Sequence, residues 1–487
     1  MSADGYEIAR VPSGIEGLDD VLHGGLPQRR VSLVTGTAGT GKTLFAVQFI
    51  AAGIADHDEG GVFVTFEERP AAVRRNFRSF GWDIAGWEES GAWRFVDVSP
   101  QPAEETIVVG EFDLASLVVR VKHAVQESGA RRVAIDSTGS LVDQFDSPFA
   151  ARRALFQIAA ELQDMGVTTV MTAERADDYG PISKHGFEEF VADNVVILRN
   201  ALEGEKRRRT VEVLKLRGGS HLKGEHLFTI QPRHGLIVVP QEPVDLEYEA
   251  SGRRLTSGIA ELDAMCCGGY YDKSLILVAG ATGTGKSLMS THFIAGGIGQ
   301  GERALLLSFE EGRSQLVRNA RRWGHDFEAM EDEGTLRIVS VAPEADSLED
   351  HLLRMKEEIA DFRPDRVAID SLTALQRIAT AKSFREYLLG LTFHIKTRAL
   401  VGMVTAATET VGSGILSGEL HLSTVSDTIV LLQYVGRAAE ITRGIAVLKM
   451  RGSNHDKALR EYTVDDEGMH IGEPLPLEGW THLPGIL

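Results

Sequence analysis

The strongest constraint on the fold is that the chain repeats itself once, with a glycine-rich loop early in each half. The first loop reads GTAGTGKT over residues 36–43, and the second reads GATGTGKS over residues 280–287. The segment VAIDS also occurs twice, at residues 133–137 and 367–371. Matching positions lie roughly 240 residues apart, which is far too long a period for a solenoid repeat. The sequence therefore predicts a duplicated domain.

Prolines and acidic residues mark the junction between the two halves, near residues 240–253. They interrupt the apolar pattern on both sides, as expected of a connection between domains. We therefore predict an N-terminal domain over residues 1–243 and a C-terminal domain over residues 244–487.

Short apolar runs alternate with amphipathic segments within each half. Such alternation predicts an α/β fold in which a mainly parallel sheet is covered by helices, because strands buried on both faces are nearly continuous in Val, Ile and Leu. In the first half the predicted strands are residues 31–35, 62–66, 132–135 and 168–171, and the predicted helices are residues 44–53, 112–128 and 150–165.

Both glycine-rich loops match the Walker A pattern and lie between an apolar run and a helical segment. Glycines allow the backbone to curl so that its N–H groups face phosphate oxygens, and the following helix presents its positive end. A chance glycine loop is a poor explanation for two such matches. The predicted nucleotide-binding residues are Gly36, Thr37, Ala38, Gly39, Thr40, Gly41, Lys42 and Thr43 in the first half and Gly280, Ala281, Thr282, Gly283, Thr284, Gly285, Lys286 and Ser287 in the second.

A magnesium ion that accompanies ATP needs oxygen ligands from the protein. Thr43 and Ser287 end the two loops and are predicted ligands. Asp136 and Asp370 end apolar runs, as a Walker B aspartate does, and are predicted to lie beside the ion. Taken alone, each aspartate is an ordinary residue at a strand end; paired with a Walker A loop in the same half, it indicates an ATP and Mg²⁺ site.

Paired glutamates follow the second predicted strand of each half, as Glu67-Glu68 and Glu310-Glu311. Adjacent strand residues point to opposite faces, so we expect one carboxylate of each pair to face the nucleotide directly. There it would orient the attacking group or accept its proton. The alternative is a pair of solvated charges at a strand end.

A Lys-x-Arg pattern occurs late in each half, as Lys215 with Arg217 and Lys449 with Arg451. At i and i+2 on a strand, the two cations share one face. They lie far in sequence from their own P-loop, so a neighbouring subunit could use them as arginine fingers. From spacing alone, a solvent-facing basic strand explains the pattern equally well.

Composition and sequence patterning argue against nucleic-acid-binding, secreted and membrane-spanning classes of protein. The chain has 70 acidic and 51 basic residues, a net charge of −19, which disfavours a dedicated nucleic-acid binder. Its two cysteines are adjacent in sequence and fit a reducing compartment. We read no secretory signal and no membrane-spanning run, and therefore expect a cytoplasmic location.

Several longer segments resemble the KaiC family far more specifically than two Walker motifs do. They include DNVVILRN at residues 193–200, LRGGSH at 216–221, DTIVLLQY at 427–434 and KMRGS at 449–453. The resemblance extends from about residue 12 to about residue 468. It implies two tandem RecA-like domains, a homo-hexamer with ATP between neighbouring subunits, and catalytic roles for the paired glutamates. It also implies that Lys215, Arg217, His221, Lys449, Arg451 and His455 contact the neighbour's nucleotide.

The resemblance further implies that the first domain is mainly an ATPase and that the second is also a serine/threonine autokinase. The phosphorylated pair of the family falls on Ser423 and Thr424. Gly418 and Asn454 stand where the family usually has threonine and tryptophan. The tail after Gly468 is short, which argues against control by KaiA, so we expect a KaiB-like or another signalling partner.

Two other functions stay open from the sequence. A RecA-like or DnaB-like ATPase directed to DNA would use the same P-loop cores, and a nucleotide-gated signalling scaffold would use them without phosphorylating itself. The acidic balance and the Ser423-Thr424 pair favour a self-phosphorylating ATPase that acts as a clock or signalling timer.

Overall fold

The computed structural model describes residues 8–99, 114–203, 206–240, 252–408, 424–437 and 440–475. It divides into two compact units, Met1–Glu242 and Pro243–Leu487. Each unit contains one nine-stranded sheet and one small two-stranded antiparallel sheet.

The sheet of the first unit is mainly parallel. Its strand order is β11-β10-β9-β8-β3-β7-β6-β4-β5; β8 through β5 are parallel and the other three strands are antiparallel. The strands are β1 (Arg10–Val11), β2 (Leu26–Pro27), β3 (Val31–Gly36), β4 (Gly60–Thr65), β5 (Trp93–Asp97), β6 (Ala130–Asp136), β7 (Thr168–Glu174), β8 (Asn194–Glu203), β9 (Lys206–Leu216), β10 (Glu225–Gln231) and β11 (Gly235–Val239). The helices are α1 (Leu18–Val21), α2 (Lys42–His57), α3 (Pro70–Phe77), α4 (Ile84–Ser90), α5 (Leu114–Ser128), α6 (Thr138–Val142), α7 (Pro148–Asp164) and α8 (Glu188–Val191), with a 3₁₀ turn at Arg78–Phe80.

Alternating residues of the central strands enter two separate cores on the two faces of this sheet. Val34 and Phe63 pack with α2 on one face. Leu33 and Val62 pack with α5 and α7 on the other face. Period-2 alternation with apolar residues on both sides is what a doubly covered parallel sheet requires.

The second unit repeats this architecture. Its sheet order is β16-β15-β17-β18-β14-β19-β20-β21-β22, with the last three strands antiparallel. The strands are β12 (Arg254–Leu255), β13 (Tyr270–Tyr271), β14 (Leu275–Gly280), β15 (Ala304–Ser308), β16 (Leu336–Ser340), β17 (Arg366–Asp370), β18 (Val401–Ala407), β19 (Thr428–Arg437), β20 (Glu440–Met450), β21 (Arg460–Asp465) and β22 (Gly468–Pro474). The helices are α9 (Ala260–Met265), α10 (Lys286–Ile298), α11 (Arg313–Arg322), α12 (Phe327–Asp332), α13 (Leu348–Phe362), α14 (Leu372–Arg377) and α15 (Ala381–Thr397), with a 3₁₀ turn at Pro343–Ala345.

These sheets confirm the predicted fold class of two mainly parallel sheets flanked by helices. The four strands expected in the first half are β3, β4, β6 and β7, and the three expected helices are α2, α5 and α7. Phe66 lies just beyond its strand, because β4 ends at Thr65. The first two residues of the helix expected from residue 112 lie outside the described residues.

A buried arginine on one central strand ties the P-loop helix to the sheet in each unit. Arg132 binds Glu59, which follows α2, and donates to the carbonyl oxygen of Phe49 in the middle of α2. Arg366 binds Glu302 and donates to the carbonyl oxygen of Phe293 on α10 in the same way. These partners compensate the buried charge, which would otherwise be costly.

No helix within the described ranges is both long enough and apolar enough to cross a lipid bilayer.

Candidate functional site

The P-loop of the first unit joins β3 to α2. Gly41 caps α2 with a φ of 97°, which an L-residue with a side chain rarely adopts. A Cβ on Gly36 would lie 2.5 Å from the Leu198 carbonyl oxygen and 2.5 Å from Thr40 Oγ1. The loop therefore needs glycine at both positions, and its curled backbone leads directly into the positive end of α2.

The second P-loop, between β14 and α10, has the same construction. Gly285 caps α10 with a φ of 95°. The Thr284 hydroxyl donates to the carbonyl oxygen of Ala281 at 2.7 Å, as Thr40 Oγ1 donates to Thr37 at 2.8 Å in the first loop. Both loops are closed by the same internal hydrogen bond.

The two P-loop lysines fold over their own loops. Lys42 Nζ donates to the Thr37 carbonyl oxygen at 3.0 Å, and Lys286 Nζ donates to Gly280 at 2.9 Å and Ala281 at 3.0 Å. Burial lowers the pKa of both ammonium groups, while nearby carboxylates oppose that shift. A half-buried ammonium at the mouth of a glycine loop is suited to a phosphate, which offers stronger acceptors than a carbonyl oxygen.

The two predicted Walker B aspartates lie at the carboxyl ends of β6 and β17. Asp136 bonds the hydroxyls of Thr172 and Thr43, and Asp370 bonds those of Thr405 and Ser287. Burial raises the pKa of both aspartates, and these hydroxyl hydrogen bonds partly offset the shift.

These residues fit a magnesium ion. The hydroxyl that ends each P-loop lies against a buried carboxylate, whose charge the hydroxyls and the P-loop lysine partly compensate. Within the described ranges no group of three or more His, Cys, Asp or Glu residues that could hold a metal ion is found. Mg²⁺ suits such a site, because it usually takes one or two protein oxygens and fills its other positions with water and substrate phosphates.

One glutamate of each pair lies beside the Walker B segment. Ser137 and Ser140 both donate to Glu67 Oε1, the second at 2.8 Å. Ser371 donates to Glu310 Oε1 at 2.9 Å. These hydroxyls hold the carboxylates beside the carboxyl ends of the parallel strands, where the P-loops also lie.

The second glutamate of each pair is bound to a neighbouring helix. Glu68 accepts from Asn76 of α3 at 2.9 Å, and Glu311 accepts from Asn319 of α11 at 3.0 Å. Burial, followed by the charge of Asp370, raises the pKa of Glu311. The two glutamates of each pair therefore have different hydrogen-bond partners. That one carboxylate of each pair faces the nucleotide directly stays a prediction.

A cavity of about 1010 Å³ opens above the second P-loop. Lys286, Ser287 and Asp370 line it, together with Glu310 and Glu311. Its volume is sufficient for a nucleotide, since pockets for ligands of that size measure about 300–1,000 Å³.

Sequence reasoning missed two residues that line this cavity. Trp323 ends α11, and Arg443 lies on β20. An indole beside a phosphate site is suited to a nucleobase, and a guanidinium is suited to phosphate. The sequence carries no motif around either residue; only the fold brings them to the P-loop.

The Lys-x-Arg pairs lie on the opposite side of each sheet, beside the amino ends of the parallel strands. This side is the Lys-x-Arg edge, and the side at the carboxyl ends of the strands is the P-loop edge. Lys215 Nζ donates to the carbonyl oxygen of Ala192 at 2.7 Å, and Arg217 forms an ion pair with Asp193 at 3.4 Å. Lys215 is on β9 and Arg217 lies one residue beyond its end at Leu216; both cations contact the segment 189–193 that precedes β8. Burial, then the charge of Arg217, lowers the pKa of Lys215.

The second unit has the same arrangement. Lys449 Nζ donates to the Ser426 carbonyl oxygen at 2.7 Å, and Arg451 forms an ion pair with Asp427 at 3.5 Å. Burial, followed by the charge of Arg451, lowers the pKa of Lys449. Arg451 also donates to the carbonyl oxygen of Thr424 at 2.6 Å. The described member of the predicted phosphorylation pair therefore lies beside the Lys-x-Arg segment, while Ser423 lies outside the described residues.

The two predicted histidines follow the Lys-x-Arg segments. His221 is half-buried, with Nδ1 2.9 Å from the carbonyl oxygen of Leu222. His455 is also half-buried and lies in the loop after β20. Both belong to the edge of the sheet that carries the cations, rather than to the edge that carries the P-loops.

The P-loop helix of the second unit contains a buried histidine where the first unit has glutamine. His292 accepts the Met469 N–H at Nε2 (3.2 Å), and its Nδ1 lies 3.1 Å from Nε2 of His325. In the first unit the amide of Gln48 accepts the Leu236 N–H at 2.7 Å. Burial, followed by the charges of His325 and His470, lowers the pKa of His292 to about 4.

We expect this histidine to make the second unit sensitive to acid. The folded-state pKa lies below the unfolded value of about 6.5, so the unfolded chain binds more protons between these pH values and stability falls as pH drops through that window. Lowering the pH from 7.5 to 5.0 should cost up to about 2 kcal/mol through this group. His292→Gln should remove that part of the pH dependence, as measured by urea unfolding with hydrogen exchange of α10. His123→Gln, at an exposed position, is the control; equal pH dependence in both variants would contradict the prediction.

Both halves of the chain are similar to known proteins. A family model described as "ATPase: KaiC" matches residues 11–243 and again residues 255–475. The circadian clock protein KaiC3 of Synechocystis sp. is 51% identical over 474 residues, which cover 97% of this chain and 93% of that protein. The circadian clock oscillator protein KaiC of Synechococcus elongatus is 50% identical over 464 residues, covering 95% and 89%. That of Thermosynechococcus vestitus is 50% identical over 466 residues, covering 96% and 89%.

Proposed function

The chain belongs to the KaiC family of ATPases, and on that premise we propose that it is a homo-hexameric ATPase and serine/threonine autokinase that acts as a clock or signalling timer. Residues 1–243 form the domain that mainly hydrolyses ATP. Residues 244–487 form the domain that also transfers phosphate to Ser423 and Thr424. Both domains use ATP with Mg²⁺.

One observation carries this proposal: each unit has its P-loop at one edge of the sheet and its Lys-x-Arg segment at the opposite edge. Asp427 N–H donates to the Leu275 carbonyl oxygen, and Arg451 N–H donates to Asp427, so Arg451 lies level with the start of β14. The P-loop begins at Gly280, the other end of that strand. At about 3.3 Å per residue, roughly 16 Å of strand separates them.

This separation is greater than an arginine side chain can span, so a cation from the Lys-x-Arg segment reaches a nucleotide only on another subunit. A ring places the P-loop edge of one subunit against the Lys-x-Arg edge of the next, because a head-to-tail interface that closes generates a cyclic oligomer. The nucleotide in the first unit of the neighbour is contacted by Lys215 and Arg217. The nucleotide in its second unit is contacted by Lys449 and Arg451. The two histidines of the same edge are His221 and His455.

Hydrolysis in the first unit follows from the contacts of Glu67. A water oxygen attacks the γ-phosphorus, the bond to the β–γ bridging oxygen breaks, and ADP leaves with that oxygen. The proton of the water passes to Glu67, whose carboxylate is held by Ser137. Lys42 and the loop N–H groups neutralise the phosphates. Bound Mg²⁺ supplies positive charge to the phosphate oxygens beside Thr43 and Asp136.

Phosphotransfer in the second unit uses the same parts with a different acceptor. The hydroxyl oxygen of Ser423 or Thr424 replaces water, and its proton passes to Glu310, with Glu311 beside it. Because Arg451 holds Thr424 at the Lys-x-Arg edge, this acceptor meets the neighbour's P-loop and not its own. Phosphorylation is therefore expected between subunits.

The partner of this ring is proposed to be a KaiB-like or other signalling protein, on the strength of the family resemblance. The basic run at Lys206–Arg209 does not favour nucleic acid. Arg208 is buried and paired with Glu203, and Arg207 donates to the Asn200 carbonyl oxygen, so two of the four cations already have partners on β8.

The proposal is tested by incubating the full-length chain with ATP and Mg²⁺ and measuring the phosphate that the protein incorporates. We expect native mass spectrometry to report a hexamer with two nucleotides per chain, and intact mass to report phosphate on the protein. Ser423→Ala/Thr424→Ala should reduce the incorporated phosphate to background, whereas Thr397→Ala, at an exposed hydroxyl on α15, should leave it unchanged. Phosphate that persists in the double variant would contradict these acceptors. ATP hydrolysis without any phosphoprotein in the parent chain would contradict the kinase.

A further inference from the structure

The two units differ in how many hydroxyls hold the glutamate beside Walker B. In the first unit Ser137 and Ser140 both donate to the same oxygen of Glu67. In the second unit Ser371 donates to Glu310 at 2.9 Å. Ser137 corresponds to Ser371, since each follows the aspartate that ends its strand.

Alanine replaces the other hydroxyl in the second unit. Ser140 is the third residue of α6, and Ala374 is the third residue of α14. Ala374 lines the nucleotide cavity together with Glu310 and Ser371. The corresponding positions therefore face the same site, and one of the two donors to the carboxylate is present in the first unit alone.

Two donors on one carboxylate oxygen have a clear geometric consequence. With hydrogen bonds from Ser137 and Ser140, Oε1 of Glu67 is fixed and the plane of the carboxylate is set, so Oε2 is presented in one direction. With Ser371 as its one hydroxyl donor among the residues that the structure describes, the carboxylate of Glu310 can rotate about that bond. Hydrogen bonds to a charged group are among the strong ones in proteins, so this difference in constraint is substantial.

We propose that Ser140 is a positioning residue that commits Glu67 to water as the attacking group, and that Ala374 leaves Glu310 adaptable to a side-chain hydroxyl. Water has no tether, so its line of attack depends entirely on the groups that hold it. A serine or threonine hydroxyl arrives on a polypeptide that fixes its direction, and the carboxylate must turn to meet it. This inference rests on the proposed base role of the two glutamates.

The first experiment isolates hydrolysis in the first unit. In the full-length chain carrying Glu310→Gln/Glu311→Gln, Ser140→Ala should lower kcat for ATP hydrolysis about tenfold with KM unchanged, because the nucleotide contacts remain. Ser140→Thr should restore kcat, since threonine keeps the hydroxyl donor. Ser90→Ala, at an exposed serine on α4, is the control.

The reciprocal change tests the second unit. Ala374→Ser in the full-length chain carrying Glu67→Gln/Glu68→Gln, which silences hydrolysis in the first unit, should add a donor to Glu310 and shift the ratio of phosphotransfer to hydrolysis about tenfold towards hydrolysis. Both rates are read from one reaction, as phosphate on the protein and phosphate in solution.

The outcomes separate the inference from the proposed function. If Glu67→Gln leaves hydrolysis unchanged in the Glu310→Gln/Glu311→Gln background, the base role itself is wrong. If Glu67→Gln abolishes hydrolysis but Ser140→Ala changes neither kcat nor KM, only the positioning role is wrong. A loss that threonine does not rescue, or a rise in KM at constant kcat, also overturns it, because either result indicates a packing or binding role.

Discussion

Mixing two inactive variants is expected to restore phosphotransfer, because in the proposed ring each catalytic site takes its parts from two subunits. The Arg451→Ala variant keeps its own P-loop and glutamates but supplies no arginine to the nucleotide of the neighbouring subunit. Glu310→Gln/Glu311→Gln keeps Arg451 but has no base. Each alone should incorporate phosphate about 10³-fold more slowly than the parent chain, the scale of an arginine finger or a catalytic base. In a random 1:1 mixture about one quarter of the interfaces join the intact halves, so roughly a quarter of the activity should return.

The location of the new phosphate makes this prediction specific. Thr424 lies at the same edge of the sheet as Arg451, so an active interface phosphorylates the subunit that supplies Arg451. Intact-mass analysis should therefore find phosphate on the Glu310→Gln/Glu311→Gln subunits and not on the Arg451→Ala subunits. Arg321→Ala, at an exposed arginine on α11, is the control and should be active alone. A mixture without recovery would show that each subunit completes its own site.

Loss of either P-loop lysine should empty the nucleotide site of its own unit. Lys42→Ala and Lys286→Ala each remove an ammonium that lies over the mouth of its loop and faces a buried carboxylate. A charge-assisted contact of this kind contributes about 1.5–3 kcal/mol, so affinity at that site should fall by roughly 10–100-fold. The double variant should also lose ring assembly, because the nucleotides lie between subunits.

Native mass spectrometry at limiting ATP measures both effects. Each single variant should lose one nucleotide per chain, and the double variant should lose both and dissociate. Lys122→Ala, at an exposed lysine on α5, should keep full occupancy. Parental occupancy and assembly in the Lys42→Ala/Lys286→Ala chain would contradict the entire two-site account.

The features that the sequence determined by itself are those with local geometry. A P-loop is set by eight consecutive residues, because the glycines that curl the backbone, the lysine and the final hydroxyl are neighbours along the chain. The Walker B aspartates were readable only together with the P-loop of the same half, since an aspartate at the end of an apolar run is otherwise an ordinary strand-end residue. The sheet class followed from the same alternation of apolar runs and amphipathic helices.

The tertiary structure alone decided which distant residues face one another. Ser140 reaches Glu67 across 73 positions, and Arg443 reaches the second P-loop because β20 pairs beside β19. The placement of Arg451 opposite its own P-loop depends on strand order and direction, and neither is written in the spacing of Lys-x-Arg. Covalent neighbours constrain each other at short range through their backbone dihedrals. Contacts between strands are selected by burial across the whole sheet, so a local pattern cannot specify them.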